Sequence, residues 1–471
     1  MAPKLFFFGG VGTTTGANFL LEQEGHKVLI DCGLLQGVKE ANNFNSASFP
    51  YDPNKISDLF VTHAHIDHIG RIPKLIKAGF RGTIYSTPET KSISELLLYD
   101  AYKIMMNNER KNGEIHDMYG EEDIKKAISM WQTKDYGQVF ENGNGWKVVF
   151  RDAGHILGSS MVEIEIAGKK IVFTGDLGNS PSLLLKDTET INNADYLVME
   201  SVYGDRNHES KEERREKLKK IINEAIRRGG EIVIPTFAVD RAQSILYELN
   251  NMVEDGEVPS VPVFLDSPLA EKVAEIYKDS THLFNDKIQQ EIKAGDNIFD
   301  FPKLHIIHSY RESTAIQNTS NPKIIIAGSG MSEGGRVLEH EARMLGDSLN
   351  TLILVGYQPV GTLGRKLEDG VDNIEIFQNR KAEKIKVRAK IEKVQGYSAH
   401  KDSDHLLEFV EEITSPPTPL LELGEGRKTH RLKVFVVLGE PKSSLFLTQR
   451  IRDYLDTDAI YPELGKAYLL T

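Results

Sequence analysis

Between Thr62 and Gly70 the chain reads Thr62-His63-Ala64-His65-Ile66-Asp67-His68-Ile69-Gly70, which puts three imidazoles and a carboxylate within six residues. Such groups, held this close, must be hydrated, paired or bound to metal, because a bare polar group is costly to bury. Extended backbone would set His63, His65 and Asp67 on one face and turn His68 away. One short loop then offers ligands in two directions, which suits two neighbouring ions. The bland alternative is a surface loop rich in histidine, and it explains one His more readily than this arrangement.

Further ligand-type residues follow apolar runs: His155 after Val148-Val149-Phe150, Asp176 after Ile171-Val172-Phe173-Thr174, and Glu200 after Leu197-Val198-Met199. Singly, a His or Asp after Gly is an ordinary turn residue. Together they describe one rim of one sheet, with polar groups at the tips of strands. In this arrangement His63, His65 and His155 would bind one ion, Asp67 and His68 a second, and Asp176 would bridge through its two oxygens. With no Cys among them, the ligands suit Zn, Mn or Fe, and zinc is favoured. A water between two such ions ionises near neutral pH and supplies a nucleophile.

The elements that would position these residues follow from periodicity. Leu5–Phe8, Asn18–Leu21 and Lys27–Ile30 are short strands at meander spacing, and Asp58–Thr62 is a buried strand leading into the histidine loop. Ile72, Leu75 and Ile76 predict a helix before Gly79, and Gly82–Ser86 returns as a strand. Helices are predicted over Ser92–Met106 and Glu121–Trp131, joined by polar residues 107–119. From about Arg206 the texture changes to alternating helices and strands, among them Lys211–Arg228, Glu231–Ile234, Val239–Asn250, Val261–Leu265, Ala270–Tyr277, Lys323–Ala327 and Leu352–Val355. That alternation predicts a second α/β domain with a mostly parallel sheet. Beyond Gly370 short strands return, at Ile374–Phe377, Lys386–Val394 and Val434–Leu438. Residues 414–419 and 424–426 read as a loop, and Phe446–Leu455 as a helix. The expected organisation is a first part over 1–205, an inserted domain over 206–369 and a C-terminal part over 370–471.

At 471 residues the chain exceeds what one hydrophobic core usually serves. Its single cysteine, Cys32, excludes an intrachain disulfide framework. No apolar run approaches the roughly 18 residues of a spanning helix, and Leu5–Phe8 is too short for a secretory core. The expectation is a cytoplasmic protein with no membrane partner. A net charge of −12 argues against coating nucleic acid through a generally basic surface, while leaving room for a locally basic groove.

The histidine loop, with Asp31, His155 and Asp176, resembles the metallo-β-lactamase superfamily. The region beyond resembles its β-CASP nuclease branch, on Glu200–Arg206, Pro235–Gln243, Asp266–Ala270, Gly328–Met331, Gly356–Gln358 and Gly361–Arg365. The ordered set spans nearly the whole chain and is more specific than any one motif. The resemblance implies an α/β fold, an αββα sandwich with an α/β β-CASP domain inserted after Glu200. It implies metal-dependent cleavage of phosphodiesters in nucleic acid, RNA ahead of single-stranded DNA, with the remaining motifs nearest the bacterial and archaeal RNA-processing members. It also implies that His400, in Ser398-Ala399-His400, is hydrogen-bonded to Glu200. A His so held can protonate a leaving oxygen, and Asp67, Glu200 and His400 are the expected catalytic residues. Backbone amides at Gly328–Met331, with Ser329 and Gly330, could hold a phosphate, assisted by Arg336 and Arg365.

One position departs from the pattern. Where RNA-processing members of the family carry a metal-binding His before Gly-Glu, this chain has Leu438, which has no donor atom. One firm metal site and a weaker or absent second one are expected. Leu438 also keeps open a catalytically weakened member that only binds nucleic acid, and a single-stranded DNA nuclease. A hydrolase of thioesters or lactams fits the wider superfamily, but the domain-sized insertion argues against it. Self-association into a homo-oligomer stays open.

Overall fold

The structure, a computed structural model, describes residues 2–112, 118–359, 361–378, 381–414 and 432–471. Most of the expected 107–119 connection is described, as helix and turn, except 113–117; the loop at 415–431 lies outside the described residues. The chain divides into two compact units, Met1–Asn207 with His400–Thr471, and His208–Ala399.

The first unit is built on two seven-stranded sheets. One runs, edge to edge, through Ala467–Leu469, Lys4–Phe7, Phe19–Gln23, His26–Ile30, Asp58–Phe60, Thr83–Ser86 and Trp131–Thr133. Its first three N-terminal strands form the expected antiparallel meander, and Asp58–Phe60 and Thr83–Ser86 pair in parallel around the intervening helix. The other sheet runs through Asp458–Ile460, Lys433–Val436, Tyr196–Met199, Lys169–Phe173, Ser160–Ile166, Lys147–Asp152 and Phe140–Glu141.

Side chains alternate strictly along these strands, and the alternation makes the layers. Leu5, Phe7, Phe19 and Leu21 share one buried cluster with Ile171, Phe173, Val198 and Phe435 of the second sheet, so this cluster is the filling between the sheets. The intervening residues face outward. Leu20, Leu29 and Leu59 meet Ile72, Leu75 and Ile76 of the helix Ile72–Lys77. Val172, Leu197 and Val434 meet Leu406, Phe409 and Val410 of Ser403–Thr414, and Leu447 and Ile451 of Pro441–Leu455. The result is helix, sheet, sheet, helix, the αββα sandwich expected.

The second unit holds a six-stranded sheet in the order Leu304–Ile306, Val263–Asp266, Lys323–Ala327, Glu231–Pro235, Thr351–Leu354, Lys390–Lys393, with every pairing parallel. Residues 386–394 were expected as one strand. They instead straddle two: Lys381–Lys386 pairs back on Asn373–Gln378 as a hairpin, and Lys390–Lys393 joins the parallel sheet. This pairing gathers residues 370–399 with the second unit, whereas the texture of the sequence grouped them with the C-terminal part.

Candidate metal centre

All the strand tips that carry ligand-type residues lie in the first unit. Lys147–Asp152, Lys169–Phe173 and Tyr196–Met199 run the same way in one sheet, so His155, Asp176 and Glu200 follow from one rim. The histidine loop arrives from the end of Asp58–Phe60 in the facing sheet. Close approach demands glycine at two points. Gly175 takes a left-handed φ of +55°, and a Cβ there would lie 2.6 Å from the Thr62 side chain. A Cβ on Gly33 would lie 1.5 Å from the Asp67 carbonyl oxygen.

Four donor atoms converge. His63 Nε2 lies 3.1 Å from His65 Nδ1, which lies 3.2 Å from His155 Nε2. Asp176 Oδ2 lies 3.3 Å from His63 Nε2 and 3.6 Å from His155 Nε2. Ligands about 2.0–2.1 Å from a tetrahedral ion stand about 3.3–3.4 Å apart, so these four donors are spaced as a group that could hold a metal ion. Burial in this cluster also holds His65 and His155 well below the usual imidazole pKa, in the neutral form that binds metal.

The other oxygen of Asp176 faces His68. His68 Nε2 and Asp176 Oδ1 are 3.4 Å apart, both buried, and neither has a hydrogen-bond partner. Against burial, Asp176 and Asp31 hold the His68 pKa well above the usual imidazole value, so without an ion Nε2 carries a proton towards Asp176, and an ion bound between the two would displace it. Asp67 stands farther off, its Oδ2 4.0 Å from His68 Nε2. The extended-chain reading of Asp67 is corrected here: a helical turn begins at Ile66, so Asp67 leaves the His63 and His65 face and sits beside His68. Leu438 is 1% exposed and packs in the core between the sheets, where the side chain brings no donor to this second position.

Asp31 fixes which nitrogens are free. Its carboxylate is 2.7 Å from His68 Nδ1 and accepts from the Thr62 hydroxyl at 2.8 Å and the Thr62 amide at 2.8 Å. The same hydroxyl lies 3.0 Å from His63 Nδ1. With Nδ1–H of both rings so engaged, the Nε2 lone pairs are directed into the cluster. The role of Asp31 and Thr62 was missed from sequence, where Asp31 entered only among the residues that carry the family resemblance and Thr62 only as the start of the histidine stretch.

Glu200 and His400 complete the rim. Glu200 is fully buried, and its Oε1 accepts from the Leu177 amide at 2.7 Å and lies 3.1 Å from His400 Nδ1. His400 Nδ1 is 3.9 Å from Asp176 Oδ2. Burial would lower the His400 pKa, but Glu200 and Asp176 outweigh it and push it up to about 9. Lys401, which sequence reasoning passed over, fastens this corner: its amide donates to Leu177 O at 2.8 Å and its Nζ to Ser180 Oγ at 2.8 Å.

The expected phosphate contacts lie in the second unit and are largely engaged there. Ser329 Oγ accepts from the Glu333 amide at 3.1 Å, and Gly330 O accepts from Gln358 Nε2 at 2.9 Å. Arg336 Nη1 holds Asp266 Oδ1 at 2.5 Å, and Arg365 Nε holds both Asp369 oxygens at 2.9 and 3.0 Å. Asp266 also takes His340 Nε2 at 2.6 Å and the Ser313 hydroxyl at 2.5 Å. The guanidinium groups thus already hold carboxylates, a pairing that i,i+4 spacing signals for Arg365 but that nothing in the sequence signals for Arg336.

Comparison with known proteins agrees with this geometry. Residues 11–236 match the family described as the Metallo-beta-lactamase superfamily, 242–367 the Beta-Casp domain, and 384–462 the Zn-dependent metallo-hydrolase RNA specificity domain. The chain is 34% identical over 438 residues to a ribonuclease of Thermus thermophilus, covering 93% of this chain and 97% of that one. It is 33% identical to an RNase J-like protein of Methanocaldococcus jannaschii, over 89% of this chain and 92% of the relative. It is 32% identical to the transcription termination factor FttA of Pyrococcus horikoshii, over 89% of this chain and 66% of the relative. A crystal structure of a protein of unknown function from Enterococcus faecalis shares the fold, with a TM-score of 0.56 and 14% identity over the full length of both chains.

Proposed function

The chain belongs to the metallo-β-lactamase superfamily, in its β-CASP branch, and on that premise we propose that it is a zinc-dependent ribonuclease that cleaves phosphodiester bonds of single-stranded RNA. The observation that carries this reading is the four-donor cluster of His63, His65, His155 and Asp176 at tetrahedral spacing, with His400 beside it. When bound there, zinc supplies an ionised water as nucleophile and polarises the phosphodiester.

The chain's own groups do the rest. Asp31 and Thr62 hold the His68 and His63 rings in the tautomers that bind metal. Glu200 keeps the His400 ring oriented and protonated, and His400 gives its proton to the leaving oxygen. Asp176 spans the two donor sets, so its position fixes both. Asp67 and His68 would hold a second ion only weakly, since no fourth ligand among the described residues closes their side. No helix among the described residues is long and apolar enough to cross a membrane, and the proposed setting is the cytoplasm.

The test is incubation of metal-defined protein with end-labelled single-stranded RNA and DNA, beside Asp176→Ala and His400→Ala. Cleavage of RNA, lost in both variants, is expected. A protein that cuts neither substrate, or variants that cut normally, would sink the proposal. Cleavage of DNA alone would move it to the second reading, a single-stranded DNA nuclease. Leu438 supports the remaining alternative, a member that binds RNA without cutting it, and tight RNA binding with no cleavage in zinc is its signature.

A further inference from the structure

Residues 384–391 read Lys384-Ile385-Lys386-Val387-Arg388-Ala389-Lys390-Ile391, a strict alternation of cation and apolar residue. The structure sorts the two kinds. Ile385 and Ala389 are buried in the core of the second unit, with Val387 packed against it, while Lys384, Lys386, Arg388 and Lys390 are exposed. The run passes from the hairpin strand Lys381–Lys386 to the edge strand Lys390–Lys393 of the parallel sheet. Between the two strands the chain bends at Ala389, where the Arg388 and Ala389 amides both donate to Leu345 O at 2.8 and 3.0 Å, so the four exposed cations fall within seven residues on either side of that bend.

These charges have little to neutralise them. Lys390 holds Glu392 at 2.6 Å and Glu224 at 3.4 Å. Glu375 lies across the hairpin from Lys384, and Asn373 across from Lys386. Among the described residues, Lys384, Lys386 and Arg388 have no ion-pair partner. Lysine on an edge strand also discourages edge-to-edge pairing, which accounts for Lys390 and Lys393. It serves Lys384 and Lys386 as well, on one strand of the two-stranded hairpin, but not Arg388, which lies between the strands. Nor does solubility call for a cationic run in a chain whose net charge is −12.

We infer that Lys384, Lys386 and Arg388, with Lys390, form a track for the sugar-phosphate backbone of a single RNA strand, contacting successive phosphates without reading sequence. This inference rests on the ribonuclease reading above and names where the second unit grips that substrate. A short run of exposed cations suits a polyanionic strand, whereas a membrane surface calls for a broader basic face with apolar residues at its centre.

Salt dependence tests it. Single-strand binding loses about 0.7 in the slope of log K against log salt for each phosphate contact removed. The full chain carrying His400→Ala, so that RNA stays uncut, would be titrated with a uridine oligonucleotide of about twenty residues over a range of salt. Lys384→Gln, Lys386→Gln and Arg388→Gln combined should flatten the slope by about two units and weaken low-salt binding at least tenfold; Lys386→Gln alone should flatten it by about 0.7. An unchanged slope in the combined variant overturns the track. So does a variant that keeps its RNA binding but loses affinity for vesicles containing phosphatidylserine. A parent protein that binds no RNA overturns the ribonuclease reading as well, which separates the two failures.

Discussion

His400 Nδ1 lies 3.1 Å from Glu200 Oε1, an oxygen that also accepts the Leu177 amide at 2.7 Å, so the acid and the segment following Asp176 share one buried carboxylate. The negative charge there has a measurable sign. It stabilises the protonated imidazole and raises its pKa to about 9, against burial. A general acid must carry its proton, so the rate should hold through neutral pH and fall as pH rises through about 9. Glu200→Gln removes the charge and keeps the shape. Its alkaline limb should move to lower pH, with kcat on RNA down by roughly 10²–10⁴-fold, the usual worth of a proton-transfer group. A pH profile with the limb unmoved in the variant would show that Glu200 does not set the proton on His400.

Asp31 touches no donor cluster atom that faces the ion, yet its carboxylate orients His68 directly and His63 through Thr62. Partners of this kind are usually worth 10–100-fold in metal affinity. Asp31→Asn should cost that much in zinc affinity, measured by competition with a chelator, and more at the His68 side than at the His63, His65 and His155 side. Equal affinity in variant and parent would make Asp31 a packing residue only.

Lys401 is 5% exposed and fastens the turn after Asp176 at both ends, through Leu177 O and Ser180 Oγ, while Gly178 and His400 form a β-bridge between those contacts. Lys401→Met should lower kcat on RNA about tenfold with KM and zinc content near the parent's, because the His400 ring loses its fixed place relative to Asp176. Lys401→Arg should recover part of the loss. If KM rises and zinc content falls together with kcat, the residue holds up the fold and not the geometry of the acid.

Much of this centre could be read before any fold was known, because its parts are local. Three imidazoles in six residues, and acids at the tips of apolar strands, are visible as spacing, while the two facing sheets were expected only from the family resemblance. What failed was either a turn or a long-range partner. Asp67 was assigned to an extended face because the single helical turn at Ile66–Ile69 is too short to show a period. Asp31 and Thr62 are separated by 31 residues, so their shared hydrogen bonds leave no trace in spacing. Arg336 was offered as a phosphate contact because its carboxylate partner, Asp266, lies 70 residues away and leaves no trace in spacing, whereas the i,i+4 spacing of Arg365 and Asp369 was there to be read. The run 386–394 looked like one strand because the alternation of cation and apolar residue continues unbroken across the gap between two sheets.

Leu438 offers the sharpest test of how many ions the centre holds. It is almost fully buried among Phe7, Phe19 and Phe435, and its amide donates to Gly10 O at 2.6 Å. Leu438→His would forfeit about 1.5–3 kcal/mol of apolar burial. It would also bury an imidazole with an unmet polar atom, at about 1–3 kcal/mol more. Stripped of metal, the variant should therefore melt well below the parent. If the new ring reaches the position faced by His68 Nε2 and Asp176 Oδ1, zinc binding repays that loss, since an ion that binds only the folded form stabilises it by mass action. Zinc should then raise the melting temperature of the variant more than that of the parent, and metal analysis should rise from one ion per chain towards two. A variant that melts low and gains no more from zinc than the parent would show that the ring stays in the core, and that the second position is closed by more than the identity of one residue.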